Sequence, residues 1–200
     1  MDIQSVFQMP TTALTKAIAG RSSTITAAFV SSILPVVQPT DDDILEALQV
    51  LGMKPALVHC AYCGDKSSEW DHLRPIVKGQ RPTGFISEIR NLVPSCGKCN
   101  QSKGGKHWRE WMLGPARHSP KTRNVTDINE RVAKLESYER WGNCQPIDFT
   151  TIVPADLWKE HWTNLQRIHD DMKTAQDTAL LVRRAIEEGL LQSKSKGGRR

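Results

Sequence analysis

Residues 60–103 hold three linked motifs, which read Cys60-Ala-Tyr-Cys63, then Glu69-Trp-Asp-His-Leu-Arg-Pro75, then Asn91-Leu-Val-Pro-Ser-Cys-Gly-Lys-Cys-Asn-Gln-Ser-Lys103. Two Cys-x-x-Cys pairs enclose an Asp-His pair, and an Asn follows the last Cys directly. Four thiolates in this arrangement suit a tetrahedral zinc ion, and a closed four-sulfur shell leaves no coordination position for a substrate. The spacing therefore predicts a structural zinc site made by Cys60, Cys63, Cys96 and Cys99.

The segment between the two cysteine pairs is longer than a simple zinc ribbon requires. It holds 32 residues, whereas zinc ribbons carry roughly 15–20 there. The insert contains Asp71 and His72, a carboxylate and an imidazole that suit a hard cation and a general base. A redox role for the cysteine pairs is the weaker interpretation, because two matched pairs flank one insert. The fifth cysteine, Cys144, is expected to be a plain buried thiol.

Charge is distributed unevenly along the chain. The net charge is +5, which permits a nucleic-acid partner without requiring one. Residues 1–59 carry a net charge of −2, residues 60–112 of +4 and residues 113–200 of +3. The excess of positive charge therefore begins at the cysteine segment. It indicates either a nucleic-acid partner or a solvated surface without a partner.

The sequence predicts a cytoplasmic protein. No apolar run approaches the roughly 20 residues that span a bilayer, so no membrane partner is expected. The first residues lack the basic start and apolar run of a signal peptide. Cysteines in a reducing compartment favour metal binding over disulfides.

Three regions follow from the patterns of the chain. Residues 1–58 are predicted to be helical; Thr40 can cap a helix whose first turn is Asp41-Asp-Asp43. Residues 59–113 form the cysteine region, with a strand over residues 70–77, a basic loop over 78–84, and a helix from Gly97. Residues 114–200 are predicted to be helical, with a cap at Asn124 and a Gly-rich basic tail from Lys194. The fold class is α+β, a mostly helical chain around a small zinc-stapled core.

A long helix is predicted after Pro154, which fits a first turn. Its apolar residues recur three or four positions apart, so they form one stripe that needs a partner surface. The partner is either the N-terminal helices of the same chain or a second copy. The members of the stripe are Trp158, Trp162, Leu165, Ile168, Met172, Ala175, Ala179, Val182, Ile186 and Leu190.

Together these motifs resemble the HNH, or ββα-metal, nuclease superfamily, in the branch with a four-cysteine zinc site. The resemblance covers about a quarter of the chain and implies that a hairpin and a helix wrap one divalent cation. It makes Asp71 a metal ligand, His72 the general base and Asn91 the brace of a loop. Where the family carries its last His, this chain has Asn100, which would be the second metal ligand, with Lys103 as the alternative. Oxygen ligands favour Mg²⁺ or Mn²⁺ at this position.

The resemblance implies a metal-dependent endonuclease that acts on double-stranded DNA. Arg74, Lys98, Lys103 and Lys106 are the candidates for binding DNA phosphates. Because one such centre cuts one strand, a double-strand break requires two copies, hence a homodimer. We expect a type II restriction endonuclease of HNH type. The alternatives are a nicking, homing or phage-defence nuclease of the same superfamily, or a DNA-binding zinc module without activity.

Overall fold

The computed structural model describes residues 17–197, with side chains through residue 193. The part of the helical prediction that covers residues 1–16, and the last three residues of the basic tail, lie outside this range. The described residues form two compact units, one made of residues 17–29 and 153–197 and the other of residues 30–152. The proposed nuclease core, residues 59–113, lies within the second unit.

Helices dominate both units, and the strands are short, so the α+β fold class is confirmed. The helices are α1 (Ser22–Ser31), α2 (Asp41–Val50), α3 (Gly97–Lys103), α4 (Trp108–Leu113), α5 (Ile128–Gly142) and α6 (Ala155–Gly197). The strands are β1 (Glu69–His72), β2 (Val77–Lys78), β3 (Arg81–Pro82) and β4 (Leu92–Ser95). Among the described residues, no helix combines the length and the apolarity needed to cross a membrane.

Two antiparallel strand pairs organise the cysteine segment. β1 pairs with β4, so that Asp71 lies opposite Val93, and β2 pairs with β3 in a short hairpin. α3 begins two residues after β4 ends. The predicted single strand over residues 70–77 is wrong. The backbone N–H of Arg74 donates to the side chain of Asn91, and the Arg74 carbonyl accepts from it, so neither group pairs with a neighbouring strand.

The first turn of α2 forms as its sequence predicts. Thr40 Oγ1 accepts a hydrogen bond from the backbone N–H of Asp43 at 3.2 Å, and the Asp43 carboxylate accepts one from the Thr40 N–H at 2.9 Å. This reciprocal capping box satisfies donors that a helix start otherwise leaves unpaired. The helix then buries Leu48 beside the cysteine segment, in the hydrophobic core of the second unit.

Helix α5 contributes to the same core. Val132, Leu135 and Tyr138 are buried, as their spacing predicts. The Tyr138 hydroxyl contacts the carbonyl oxygens of Ile89 at 2.6 Å and Leu92 at 2.7 Å, which anchors the start of β4. The predicted cap at Asn124 is wrong: this residue takes a left-handed conformation (φ 55°) in a turn, and α5 begins four residues later.

In the first unit, the beginning of α6 packs against residues 18–29. Trp162 and Leu165 are buried, His161 Nε2 lies 3.1 Å from the carbonyl oxygen of Phe29, and His169 Nε2 lies 3.3 Å from Thr26 Oγ1. The stripe of α6 therefore finds a partner within the same chain over its first part. The backbone of residues 194–197 continues the helix instead of forming a separate tail.

Candidate functional site

The four predicted zinc ligands come together in one buried cluster. The Sγ atoms of Cys60, Cys63, Cys96 and Cys99 all lie within 4.8 Å of one another, and Cys63 Sγ lies 3.7 Å from Cys96 Sγ. A tetrahedron with Zn–S bonds of about 2.3 Å has sulfur–sulfur edges of about 3.8 Å. The cluster therefore fits a structural zinc ion, and among the described residues it is the one such group of potential ligands.

Charged side chains from outside the cysteine motifs surround this cluster. Arg123 Nη1 donates to Cys99 Sγ at 3.5 Å, and its Nη2 donates to the Asp65 carboxylate at 2.6 Å. Arg131, on α5, donates to the carbonyl oxygen of Cys60 at 3.2 Å. Four thiolates around Zn²⁺ carry a net negative charge, so a guanidinium beside one sulfur offsets that charge. No sequence motif points to Arg123, because it lies 24 residues beyond its sulfur partner.

Asp71, on β1, is buried with only 5% of its surface exposed. Its Oδ2 atom accepts a hydrogen bond from the Tyr62 hydroxyl at 2.7 Å and lies 3.1 Å from Lys103 Nζ. Burial raises the pKa of Asp71 above its ordinary value, and the nearby Lys103 charge opposes this shift. Burial also lowers the pKa of Lys103. The ion pair joins β1 to α3 inside the domain.

His72 follows Asp71 on β1 and points to the other face of the strand. Its Nε2 lies 2.7 Å from Ser87 Oγ. Burial lowers the pKa of His72 to about 4, and the positive charge of Lys103 adds to the shift. The imidazole is therefore neutral near pH 7, which is the form that can accept a proton. Ser87 had no sequence signal, because the contact depends on how the intervening 14 residues fold back.

Asn91 is buried, and its side chain forms hydrogen bonds with backbone groups. Oδ1 accepts from the N–H of Arg74 at 2.8 Å, while Nδ2 donates to the carbonyl oxygens of Arg74 at 3.1 Å and Ile86 at 3.2 Å. The side chain therefore ties the segment after β1 to the segment before β4, and this fixes the chain that follows His72.

Asn100 lies on α3 and is partly buried. It precedes Lys103 by three positions, so the two side chains share one face of the helix. Because Lys103 reaches Asp71, this face turns toward β1. The helix thus carries a zinc ligand, Cys99, and the amide of Asn100 one residue later.

The four cations predicted to bind phosphates differ in their surroundings. Lys98 and Lys106 are exposed. Arg74 Nη2 lies 3.1 Å from Glu139 Oε1, and its guanidinium lies 5.1 Å from the centre of the Phe85 ring. Lys103 is fully buried. Its position corrects the expectation of a direct phosphate contact, because burial against Asp71 removes its ammonium from the surface.

Aromatic residues support the Asp71 side of the site. The Tyr62 ring meets the Trp111 ring edge to face, with 5.2 Å between centres, and Trp111 Nε1 donates to Ser102 Oγ at 2.9 Å. Tyr62 lies between Cys60 and Cys63 in sequence, so the turn that carries these two predicted zinc ligands also positions the hydroxyl that contacts Asp71. Trp108 and Trp111 are buried as core residues, whereas Trp70 is 38% exposed.

The segment that holds these residues is similar to a known protein family. Residues 60–106 match the family model for HNH endonuclease. This segment is an HNH domain. The matched range contains the four cysteines, Asp71, His72, Asn91 and Asn100. No curated protein and no solved structure matches the chain.

The HNH domain also contains donors suited to a second, hard divalent cation. Asp71 and Asn100 both offer oxygen atoms, which Mg²⁺ and Mn²⁺ prefer. Mg²⁺ keeps several waters and needs only one or two protein carboxylates when substrate phosphates supply further ligands. Both contacts described for the Asp71 carboxylate engage Oδ2, and the carboxylate has a second oxygen that can serve as a ligand atom. The oxygen atoms of Asp71 and Asn100 are therefore ligands of the type that Mg²⁺ and Mn²⁺ prefer.

Proposed function

We propose that this protein is a metal-dependent DNA endonuclease that hydrolyses phosphodiester bonds through its HNH domain. The observation that carries the proposal is the family match over residues 60–106. Within this range Asp71 and His72 lie on β1, and Asn100 lies on α3. The intact Asp-His pair favours an active enzyme over a binding module that has lost its activity.

His72 is the general base in this proposal. It is neutral near pH 7 because burial lowers its pKa. When Ser87 Oγ accepts the proton of Nε2, the lone pair of the ring lies on Nδ1. Nδ1 then takes a proton from the attacking water, and Ser87 acts as a positioning residue that selects the tautomer.

Asp71 and Asn100 would hold Mg²⁺ or Mn²⁺. Bound there, the cation would stabilise the charge that develops on the phosphate and on the leaving 3′ oxygen. Asn91 keeps the chain after β1 in place, and Tyr62 orients the Asp71 carboxylate. The products expected from the family resemblance are 5′-phosphate and 3′-hydroxyl ends.

The substrate in this proposal is double-stranded DNA. The net charge of +4 over residues 60–112 and the exposed Lys98 and Lys106 support contact with its phosphates. Arg74 contributes a charge that Glu139 holds in place. We propose further that the enzyme is a cytoplasmic type II restriction endonuclease, which acts as a homodimer to cut both strands.

Plasmid cleavage tests this proposal. Purified protein should nick or cut supercoiled plasmid only when Mg²⁺ or Mn²⁺ is added. The His72→Ala variant should cleave about 10²–10⁴-fold more slowly yet bind DNA as well as wild type in a gel-shift assay. The matched control is His118→Ala, since His118 is an exposed histidine outside the HNH domain. Normal cleavage by the His72→Ala variant would overturn the mechanism.

Digestion of a defined phage genome, followed by mapping of the fragment ends, tests the restriction role separately. Discrete fragments that disappear when the DNA is methylated would support restriction. Random nicks at many sites would support a nuclease of the same superfamily with another role.

A further inference from the structure

The second half of α6 is exposed on every side, although it is rich in large apolar residues. Residues 177–193 are all exposed. The large apolar side chains among them have between 41% and 68% of their surface exposed; they are Leu180, Leu181, Val182, Ile186, Leu190 and Leu191. The first half of the same helix differs, since Trp162 and Leu165 are buried there.

The large apolar side chains of this segment are not covered by the residues that the structure describes. Most of the stability of helices in proteins comes from packing of an amphipathic face and not from helix propensity. The last contact described between α6 and the N-terminal residues of its unit is the hydrogen bond from the Ile18 N–H to Gln176 Oε1 at 2.6 Å. The helix beyond Gln176 therefore needs another partner.

The sequence of the exposed segment is symmetric about its own centre. From Leu180 to Leu191 it reads Leu-Leu-Val-Arg-Arg-Ala-Ile-Glu-Glu-Gly-Leu-Leu. Two leucines and two arginines precede the point between Ala185 and Ile186, and two glutamates and two leucines follow it at matching distances. Reversing the direction of the segment thus places leucine on leucine and arginine on glutamate.

The symmetric residues also share one face of the helix. Leu180, Arg184, Glu187 and Leu191 are spaced by four, three and four positions, which aligns them along the axis. We name these four residues the self-complementary face. In an antiparallel pair centred on the symmetry point, Leu180 lies opposite Leu191 of the second copy, and Arg184 lies opposite Glu187.

We propose that the self-complementary face of α6 binds the same face of a second copy of this chain in antiparallel orientation. Two leucine contacts enclose two arginine–glutamate pairs, and the arrangement has the two-fold symmetry of most homodimers. A parallel pair is disfavoured, because it brings Arg184 against Arg184 and Glu187 against Glu187. The contact is about 18 Å long, at 1.5 Å per residue, so it forms a small interface of modest affinity.

This inference deepens the proposed homodimer and rests on that proposed function, but it is tested by association and not by cleavage. Sedimentation equilibrium of the full chain, over roughly 1–100 µM as suits a weak interface, should show a monomer–dimer equilibrium. The Arg184→Glu variant places glutamate opposite glutamate and should weaken the dimer about tenfold or more. The matched control is the double variant Arg184→Glu/Glu187→Arg, which exchanges the charges and should restore association.

The orientation is tested by crosslinking. Chains carrying Leu180→Cys are mixed with chains carrying Leu191→Cys under mild oxidation, and the linked peptides are mapped. The antiparallel pair should link position 180 of one chain to position 191 of the other. Links between two copies of position 180 would overturn the proposed orientation.

Other outcomes overturn the contact itself. A wild-type chain that stays monomeric at 100 µM, or an Arg184→Glu variant that dimerises like wild type, contradicts it. In the first case, protection of residues 180–191 from hydrogen exchange would show that the face is covered within the chain. Nicking of plasmid measured on the same samples keeps the two proposals apart, because a monomeric chain that still nicks DNA retains the nuclease function.

Discussion

The four-cysteine cluster and the group around His72 belong to one HNH domain but are constructed differently. The cluster gathers four like atoms, all buried and all within 4.8 Å of one another. The second group takes Asp71 and His72 from a strand and Asn100 from a helix. Its polar atoms are held by residues that are not members of this group, among them Tyr62 and Ser87. The cluster consists of four atoms that contact one another, whereas the polar atoms of the second group are held by neighbouring residues.

The difference assigns separate tasks to the two regions. The cluster fixes both ends of the insert, because it joins the turn at Cys60 to the start of α3. The second group lies on β1, within the insert, and on α3. Substitution of a cysteine in the cluster should therefore impair folding and activity together. Substitution in the second group should impair activity and leave folding intact.

The largest effect is expected for Cys96→Ser. Binding of a structural zinc contributes roughly 10–16 kcal/mol of apparent free energy to small zinc domains, so loss of one ligand should remove zinc, order and cleavage together. The matched control is Cys144→Ser, because Cys144 is outside the cluster and only partly buried. Zinc content, circular dichroism and cleavage are measured on both. A Cys96→Ser protein that stays folded without zinc would break the distinction between the two regions.

Lys103→Met should destabilise the domain without removing zinc. It leaves the buried Asp71 carboxylate without its cation, and breaking a buried ion pair costs about 3–5 kcal/mol. Lys98→Met is the control, since Lys98 is exposed on the same helix and should change the free energy of unfolding by less than about 0.5 kcal/mol. Urea unfolding of the zinc-loaded proteins gives both values. Equal stability of the two variants would mean that the Asp71–Lys103 pair does not hold β1 to α3.

Cleavage by the HNH domain should persist at pH values below the ordinary pKa of histidine. His72 must be neutral to accept a proton, and its pKa is lowered from 6.5 to about 4. The base form is therefore already present at pH 5.5, and its loss on acidification should begin near pH 5. Single-turnover cleavage is measured from pH 5 to 8, together with zinc content at each pH. An acid limb centred near 6.5, with zinc retained, would contradict the buried environment of His72.

Arg123→Gln should have the smallest effect, confined to the zinc site. Residues that hydrogen-bond metal ligands typically change metal affinity by about 10–100-fold, and we expect the lower end because Arg123 contacts one sulfur of four. Transfer of zinc to a chromophoric chelator measures the change, with Lys121→Gln, an exposed neighbour, as the control. Identical transfer from both variants would remove Arg123 from the zinc site.

The zinc cluster could be predicted completely from the sequence, because Cys-x-x-Cys spacing alone brings two sulfurs to one ion. The capping of α2 and the buried face of α5 could be predicted for a similar reason, since both depend on residues a few positions apart. Asp71, His72 and Asn100 were singled out by the family pattern around them and not by any local rule.

The surroundings of those residues could not be predicted. Ser87 contacts His72, and Arg123 contacts Cys99, through tertiary folding that leaves no trace in residue spacing. Lys103 was expected to contact DNA phosphates or to serve as the alternative metal ligand, and its burial is unusual because lysines are rarely buried without a partner. Its burial follows from the carboxylate that faces it, and only the packing of α3 on β1 brings the two together. The end of β1 at His72 was missed because the side chain of Asn91 replaces a strand partner.

The most direct test of the central claim is to vary the two metals independently. Protein purified with its zinc is dialysed free of Mg²⁺, and zinc content and plasmid cleavage are measured before and after Mg²⁺ is added, withdrawn and added again. We predict that zinc content stays constant at one ion per chain, while cleavage starts, stops and restarts with Mg²⁺. Cleavage that follows the zinc content and ignores Mg²⁺ would contradict the division between a structural cluster and a separate reaction centre at His72.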